Sequence, residues 1–346
     1  MSKDMIVERI GFRDAVARQS ESLEVTRKAV TDTLKSLDIS GFVGTTVGFA
    51  GIGASYQAAL AGAAFLRANG ARSFAYCSTD LYGSSDAGAD AFVALSASGQ
   101  SVEIADVMTV RAGRPRIAIC RGSDNPLAEI TGRVIATHSG NDNGASSTGY
   151  TSMLLAIGML GDRILGRDSA DWEGLPRVIA DVLASVAGPA RSAAELLANR
   201  AAIDLVGAGA AFATAGEAAI LIREAVRVPA VGWDTLNYLH GPMEAMDGRT
   251  GLVAFGKGRE VQIAQDVAGF GCPSVLISSR ADVAPADRLL AIKVPELGNE
   301  IADAIVQIIA SQVIVAEMQD AAGLTNTRFR YPQSGTKLKA WSAATL

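Results

Sequence analysis

Short apolar runs alternate along the chain with longer segments in which apolar residues recur at helical spacing. The runs have the length of strands and show no in-and-out alternation, which is typical of parallel strands buried on both faces and joined by crossover helices. They occur in both halves of the chain, at 46–52, 92–97, 116–121 and 133–138, and again at 203–209, 251–256, 274–279 and 289–295. The pattern predicts an α/β fold with parallel sheets.

The two halves resemble each other in sequence. GIGASYQAALAGAAFLRANGA begins at Gly51, and GAGAAFATAGEAAILIREAVR begins at Gly207. In both segments a strand runs into GxGA, a small residue, an aromatic residue and an alanine-rich helix, and Arg67 falls opposite Arg223. A chain of 346 residues also exceeds what one core usually serves, so we predict a tandem repeat of one α/β unit.

The predicted organisation has five parts. A helical segment precedes the first unit, a helical linker joins the two units, and an irregular tail follows the second. The boundaries are 1–35 for the N-terminal helical segment, 36–168 for the first domain, 169–196 for the linker, 197–325 for the second domain and 326–346 for the tail.

Composition narrows the class of protein. The 31 basic and 36 acidic residues are spread along the chain, so we expect no nucleic acid partner. Cys77, Cys120 and Cys272 form no CxxC pair and lie in or beside apolar runs, which predicts reduced thiols in a reducing compartment. The N-terminus lacks a signal-type apolar core, and the apolar stretches are interrupted before they reach a bilayer-spanning length. We expect a cytoplasmic protein that does not enter a membrane.

The glycine-rich turn GIGASY first suggests a dinucleotide site, but the third glycine of GxGxxG is replaced by Tyr56, and by Phe212 in the second copy. A nicotinamide-dependent oxidoreductase is therefore disfavoured. What the turn still predicts is a close approach of backbone and ligand, with the Ser55 hydroxyl near a helix N-terminus.

The stretch FVALSASGQSVEIADVM is more informative. A buried strand ends in Ser96, Ser98, Gly99 and Ser101, and helical spacing follows. Hydroxyls and free backbone N–H groups would converge at a helix N-terminus, where partial positive charge favours a phosphate. A capping serine in a polar turn explains one of these residues but not three around a glycine. The loop predicts a phosphate site.

Two carboxylates and a histidine add candidate acid–base groups. Glu217 and Glu224 lie about two turns apart on one face of an otherwise apolar helix, where burial would raise the pKa of a carboxyl group. Ion pairing of Glu224 with Arg223 or Arg227 explains the pattern equally well. His240 stands before Gly-Pro, which argues for a defined backbone path.

A polar run after the predicted strand at 133–138 offers further side chains. His138 is interpreted as structural. Asp142, Ser147 and Thr148 are interpreted as loop residues that could face a site at the same sheet edge.

Taken together these motifs resemble the sugar isomerase (SIS) family in its tandem two-domain form, the architecture of the isomerase half of glucosamine-6-phosphate synthase. The likeness covers roughly 36–340 and depends on GxGxS, SxSGxS, GASST, the ExxxxxxE helix and LHGP. It implies a flavodoxin-like three-layer α-β-α fold in each half. It also implies a sugar phosphate at the C-terminal strand ends of the first half.

The resemblance assigns roles residue by residue. The phosphate ligands of the family fall on Ser55, Ser96, Ser98 and Ser101. The acid–base glutamate falls on Glu224 and the ring-opening histidine on His240. Because this histidine reaches the site from the neighbouring subunit in many relatives, the resemblance implies a homodimer with sites at the subunit interface. Weaker substrate contacts are implied at Gly53, Ala97, Ala145, Ser147 and either Lys337 or Lys339.

Several positions depart from the family pattern. The helix lysine of the synthase falls on Leu221, its second lysine on Arg223, the phosphate-loop glutamine on Ala97, and the lysine of Ser-Thr-Lys on Gly149. No glutaminase segment precedes the first unit, so glutamine-dependent synthesis is not expected of this chain.

The expected function is a phosphosugar isomerase or an amino-sugar-phosphate deaminase that needs neither metal nor redox cofactor. The alternative is a non-catalytic sugar-phosphate sensor. Such a sensor would need the serines but not both Glu224 and His240, so retention of the pair favours an enzyme.

Overall fold

The computed structural model of the protein describes residues 10–83, 88–142, 144–167, 172–284, 286–324, 329–331 and 335–338. Over this part of the chain, strands and helices alternate. The strands are β1 Val47–Gly51, β2 Ser73–Cys77, β3 Ala91–Leu95, β4 Arg116–Cys120, β5 Val134–Ala136, β6 Ala202–Gly207, β7 Ala230–Asp234, β8 Thr250–Phe255, β9 Ser274–Ser278 and β10 Leu289–Lys293. The helices are α1 Phe12–Ala17, α2 Gln19–Ser36, α3 Ala54–Ala68, α4 Val102–Thr109, α5 Pro126–Thr131, α6 Thr148–Ile164, α7 Leu175–Leu196, α8 Ala210–Leu221, α9 Thr235–Tyr238, α10 Arg259–Gly269 and α11 Glu300–Ala321.

The strands form two five-stranded sheets, and every pairing within them is parallel. The first sheet has the order β2-β1-β3-β4-β5 and the second the order β7-β6-β8-β9-β10. The two orders are the same when each half is numbered from its own first strand. The predicted α/β class with two parallel-sheet units is therefore confirmed.

The repeat extends to the backbone of the glycine turns. Gly53 has φ 60° and ψ −132°, and Gly209 has φ 60° and ψ −125°. Each residue precedes the first residue of its helix, α3 or α8. A positive φ at both positions favours glycine, which explains why both copies of GxGA keep it.

Two strands were not predicted from the apolar runs. β2 and β7 lie at the edges of their sheets, and beyond its buried first residue each is only partly buried. Phe74 and Val231 occupy equivalent positions in them and are 50% and 43% exposed. A half-exposed edge strand needs no continuous apolar run, so the pattern used for the central strands missed both.

The core is formed where helices of the two halves meet. α3 packs against α8, and α11 packs against α6, α7 and α8. α11 is 22 residues long and apolar enough to span a bilayer, but 83% of its most apolar window is buried inside the protein. The expectation that no apolar stretch reaches bilayer-spanning length was wrong for this segment, which is a core helix of the fold.

The N-terminal helices complete this core. α2 packs on α6 and α7, and Gln19 Nε2 donates a buried 2.7 Å hydrogen bond to Gln312 Oε1 on α11. α1 and α2 occupy most of the described part of the predicted N-terminal segment, and α7 lies within the range predicted as the linker.

Candidate functional site

The candidate site residues Ser55, Ser96, Ser98 and Ser101 follow the carboxyl ends of β1 and β3, which are neighbours in the first sheet. Both strands are parallel, so the turn after β1 and the loop after β3 leave from the same edge. The chain continues from β1 to the outer strand β2 and then returns to β3 on the other side. A reversal of this kind leaves a crevice at the strand ends, where α/β proteins bind ligands.

The loop Ser96–Ser101, here called the serine loop, has a fixed conformation. Ser96 and Ser101 are buried and their hydroxyl oxygens lie 3.2 Å apart, whereas the Ser98 side chain is exposed. Gly99 has φ 64°, and a Cβ there would collide with the side chain of Asn125. The loop therefore requires glycine at this position.

Asn125 links the serine loop to the next helix. Its Oδ1 accepts a 3.0 Å hydrogen bond from the N–H of Ala128 and so caps α5, while the N–H of Leu127 donates to the Gly99 carbonyl. Sequence reasoning missed this support, because Asn125 lies well outside the serine motif.

The C-terminal tail brings a cation to the serine loop. Lys337 Nζ lies 3.0 Å from Ser101 Oγ and 3.2 Å from Ser98 Oγ. The backbone is held as well, because the N–H of Leu338 donates a 2.9 Å hydrogen bond to the Gln100 carbonyl. Burial lowers the pKa of Lys337. Of the two tail lysines predicted as contacts, Lys337 lies at the loop, and Lys339 lies outside the described residues.

Ser55 lies in the first turn of α3 and is half-buried. The adjacency of β1 and β3 places it at the same sheet edge as the serine loop. Gly53 just before it is exposed, and Ala97 in the serine loop is half-buried. No hydrogen bond joins the Ser55 side chain to the serine loop among the described residues.

Glu224 follows residues of the second half of the chain that line a cavity with the start of α3. Tyr56 and Gln57 at the start of α3 line a cavity together with Ile220 and Arg223 at the end of α8. The first turns of α3 thus lie against the last turns of α8. Glu224 follows in a π-helical turn, Ile222–Val226, a local widening of the helix that is frequent at functional sites.

The Glu224 carboxylate is half-buried and makes no ion pair or hydrogen bond within the described part of the chain. Burial raises its pKa to about 7. Of the two interpretations left open by the spacing, pairing with Arg223 or Arg227 is not observed. Arg223 Nη1 instead donates to the Ala230 carbonyl at 3.2 Å. A carboxyl group that titrates near neutral pH can both accept and release a proton there.

Glu217 lies two turns earlier and is fully buried, with neither carboxyl oxygen hydrogen bonded. Burial raises its pKa well above the ordinary value, and the charges of Glu224 and Asp142 add to this. The hydroxyl of nearby Tyr150 is also buried without a partner, and its pKa is raised by burial and by Glu217. Burial therefore favours the protonated form of Glu217.

The polar run before α6 serves mainly to start that helix. Asp142 is buried and accepts hydrogen bonds from the Ser147 N–H, the Ser147 hydroxyl at 2.6 Å and the Gly149 N–H at 2.8 Å. Ala145 and Ser147 are fully buried, and Thr148 begins α6 rather than lying in the loop. The Ser147 hydroxyl is thus already committed to Asp142.

The structure shows what surrounds two of the positions that depart from the family pattern. Gly149 lies so close to Asp142 that a Cβ would stand 2.9 Å from Asp142 Oδ2. Leu221 is fully buried in the core. Neither residue carries a cation. Arg223, at the position of the family's second lysine, is exposed.

His240 lies on a well-anchored segment after β7. Thr235 Oγ1 donates a buried 2.6 Å hydrogen bond to Glu260, and Asp234 caps α9 through two N–H groups at 3.1 Å. Gly241, with φ 138°, and Pro242 then turn the chain, as expected of a defined backbone path. The His240 side chain itself is exposed and has no hydrogen-bond partner among the described residues.

A groove of about 360 Å³ adjoins Glu224. Its lining includes Arg223 and Arg227 from the end of α8, and Phe329, Arg330 and Tyr331 from the tail. Sequence reasoning missed the three tail residues, since nothing in their spacing indicates which part of the fold they cover. Among the described residues no group of three His, Cys, Asp or Glu side chains is arranged to hold a metal ion.

Comparisons with known proteins agree with this architecture. No family model matches the sequence. The glutamine–fructose-6-phosphate aminotransferase (isomerizing) of Sulfolobus acidocaldarius is 22% identical over 244 residues, which are 68% of this chain and 41% of that protein. The chain thus matches about two fifths of the length of this curated relative.

Two solved structures have the same fold. The C-terminal domain of glucosamine-fructose-6-phosphate aminotransferase from Francisella tularensis superposes with a TM-score of 0.77 at 16% identity, over 93% of this chain and 98% of that one. A putative phosphosugar isomerase from Clostridium difficile gives a TM-score of 0.81 at 16% identity, over 93% and 96% of the two chains. The protein has the tandem SIS phosphosugar isomerase fold.

Proposed function

We propose, starting from the tandem SIS fold, that this protein is a phosphosugar isomerase or amino-sugar-phosphate deaminase. Its substrate would be a sugar 6-phosphate. The observation that carries the proposal is the unpaired carboxyl group of Glu224, whose pKa is about 7. Ile220 and Arg223, just before it in the chain, line a cavity with Tyr56 at the start of α3, which follows β1 of the first sheet.

The phosphate would occupy the serine loop. Ser96, Ser98 and Ser101 offer hydroxyl donors, and Lys337 offers a charge 3.0 Å from Ser101 Oγ. Ser55 would approach from the neighbouring turn. Hydrogen bonds between a cation and a phosphate are about twice as strong as neutral ones, so Lys337 would add to affinity more than any single serine.

Glu224 would act as the acid–base catalyst. After ring opening it would take a proton from C2 or C1 and return it to the other carbon, through an enediol or enolamine. With a pKa of about 7, both the ionised and the protonated form are populated near neutral pH, so one group can serve both proton transfers. In a deaminase, water attack on an imine would then release ammonia.

His240 would open the sugar ring by moving a proton between the ring oxygen and the anomeric hydroxyl. Its imidazole is exposed and has no partner among the described residues, although the segment before it is held by the hydrogen bond from Thr235 to Glu260. This arrangement supports the proposal that His240 completes the site of a second subunit in a homodimer.

Subunit mixing tests this sharing of sites. Glu224→Gln and His240→Ala would each be inactive alone, but a mixed dimer would contain one site with both groups intact. Recovery of part of the activity on mixing supports a shared site. If the mixture stays inactive although exchange of subunits has been verified, the shared site is contradicted.

The reaction itself is tested with a panel of hexose 6-phosphates and 2-amino-hexose 6-phosphates. Each compound is assayed in parallel for ammonia release and for aldose–ketose conversion, with binding measured by calorimetry. Ammonia release would identify a deaminase and conversion an isomerase. Tight binding without turnover of any compound would instead favour a sugar-phosphate sensor.

A further inference from the structure

We propose that Asp204 is a positioning residue for His240, and that it acts by accepting the hydrogen-bond donors of Trp233 and Tyr238. The inference rests on the proposed function, in which His240 opens the sugar ring. Asp204 lies on β6 of the second sheet and is half-buried, whereas His240 is exposed. Its effect on the reaction would pass through residues 235–249, here called the connecting segment, which joins β7 to β8 and carries His240.

Asp204 places a carboxyl group in an apolar layer of the second sheet. Alternate residues of a strand share one face of the sheet, so Asp204 and Val206 point to the same side. Leu252 pairs with Asp204 on the neighbouring strand β8, and Trp233 and Ala254 flank Val206. These neighbours belong to one apolar cluster or pack against it. A carboxyl group in such surroundings costs free energy unless it has partners.

The same cluster holds the connecting segment. Tyr238 is fully buried in it, and the centroids of the Trp233 and Tyr238 rings lie 6.5 Å apart. Three partly buried residues of the segment also pack against the cluster, namely Leu239, Met243 and Met246. Tyr238 is only two residues before His240, and the His240 N–H donates a 3.1 Å hydrogen bond to the Asn237 carbonyl. The placement of the Tyr238 ring therefore sets the path of the backbone that leads to His240.

Trp233 and Tyr238 bring two buried donors to this place. The indole N–H of Trp233 and the hydroxyl of Tyr238 do not reach the full geometry of a hydrogen bond with any group among the described residues. Burial raises the pKa of Asp204, and hydrogen bonding from Trp233 and Tyr238 acts against this rise. Burial also raises the pKa of Tyr238, so its hydroxyl stays protonated and can donate. Asp204 is thus an acceptor within reach of both donors.

These three polar groups can fix one position of the connecting segment. Apolar packing tolerates small shifts of a ring, whereas a donor and an acceptor meet only over a narrow range of distance and angle. A buried donor left without its acceptor costs as much as a lost hydrogen bond or more. The alternative is that Asp204 only stabilises the second half of the protein. It predicts an equal loss of turnover for every substrate, since all of them need the folded protein.

Two substrates separate these interpretations. One is a hexose or 2-amino-hexose 6-phosphate that the protein converts. The other is its 4,5-dideoxy analogue, which lacks the hydroxyl groups that close the sugar ring and so needs no ring opening. Asp204→Leu removes the acceptor, and Tyr238→Phe removes one donor at nearly constant volume. In each variant we expect kcat for the cyclic substrate to fall about tenfold more than kcat for the analogue, the range for one buried hydrogen bond.

Further variants test whether Asp204 and Tyr238 act together. Asp204→Asn keeps an acceptor oxygen and should retain most of the cyclic turnover. The double variant with Asp204→Leu and Tyr238→Phe should lose no more cyclic turnover than Asp204→Leu alone, because the second change removes a donor whose acceptor is already gone. Asp287→Leu is the matched control, since Asp287 is an exposed aspartate of the second half, and it should keep the ratio of the two turnovers.

Equal losses for the two substrates in Asp204→Leu and in Tyr238→Phe would overturn the inference and leave the proposed function intact. Losses that multiply in the double variant would also overturn it, because they would show that the two residues act independently. If Asp204→Leu does not fold, Tyr238→Phe alone decides between equal and selective loss. If the unaltered protein converts neither these substrates nor any other phosphosugar, the proposed function fails together with the inference.

Discussion

Lys337 Nζ lies 3.0 Å from Ser101 Oγ, so a residue of the tail contributes its charge to a loop formed 236 residues earlier in the chain. The contact is part of a short backbone pairing, because Ser101 and Lys337 form an isolated antiparallel bridge. The cation is thus held at the loop by contacts of the protein itself. Preorganisation of this kind lowers the cost of binding an anion.

Replacement of Lys337 by Met should weaken binding of a sugar phosphate about 10- to 100-fold, because a charged hydrogen bond is worth about 1.5–3 kcal/mol. Titration calorimetry with a hexose 6-phosphate measures the change. Lys293→Met is the control, since Lys293 is exposed on β10 in the second half. Equal affinities for the two variants would show that Lys337 does not contact the phosphate.

The activity should rise with pH through the pKa of Glu224. As the general base this group must be ionised, so kcat/KM should increase about tenfold per pH unit below a pKa of about 7 and level off above it. Steady-state rates between pH 5 and pH 8 at constant ionic strength provide the profile. A rise in kcat/KM with an apparent pKa near 4.5, the ordinary pKa of a glutamate, would show that burial does not raise the pKa of Glu224.

Glu217 should make the fold less stable as the pH rises. Its pKa is raised in the folded protein, so the folded state holds a proton that the unfolded chain gives up above about 4.5. The free energy of unfolding should then fall with pH, by at most about 1.4 kcal/mol per unit from this one group. Glu217→Gln has no proton to lose and should flatten that part of the curve.

Urea unfolding of both proteins between pH 5 and pH 8 isolates the effect, because the two proteins differ at this one titratable group. The exposed Glu244→Gln serves as the control and should follow the unaltered protein. Parallel curves for Glu217→Gln and the unaltered protein would mean that Glu217 is ionised in the fold.

The hydrogen bond from Thr235 to Glu260 should matter for ring opening. Thr235→Val removes the hydroxyl at nearly constant volume and leaves a buried carboxylate oxygen without its 2.6 Å donor. The segment that carries His240 would lose an anchor. We expect turnover of a cyclic sugar phosphate to fall about tenfold more than turnover of an acyclic one, for which no ring has to open.

Thr235→Ser keeps the hydroxyl donor but removes a methyl group. It should restore most of the turnover of the cyclic sugar phosphate, whereas a loss caused by missing side-chain volume would persist in this variant. Equal losses on the two substrates in Thr235→Val would place Thr235 outside the ring-opening step.

The sequence predicted the central strands and the repeat because buried parallel strands leave continuous apolar runs and because both copies keep glycine where φ is positive. It did not predict β2 and β7, whose exposed faces break the apolar pattern. It also did not decide whether Glu224 pairs with an arginine. Helical spacing brings Arg227 within reach of Glu224 but does not determine the side-chain conformation. The contacts of Lys337 and Arg330 depend on the path of an irregular tail, and no periodic pattern encodes such a path.

The central claim is that Glu224 transfers the proton between C1 and C2 of a sugar phosphate. The most direct test uses a sugar phosphate that the protein converts, dissolved in heavy water. NMR follows the incorporation of deuterium at C2 with the unaltered protein and with Glu224→Gln. Retained binding of the phosphosugar shows that the variant is folded. Our account predicts exchange in the unaltered protein and its loss, by at least about 100-fold, in the variant. Exchange that continues at the original rate in Glu224→Gln would contradict it.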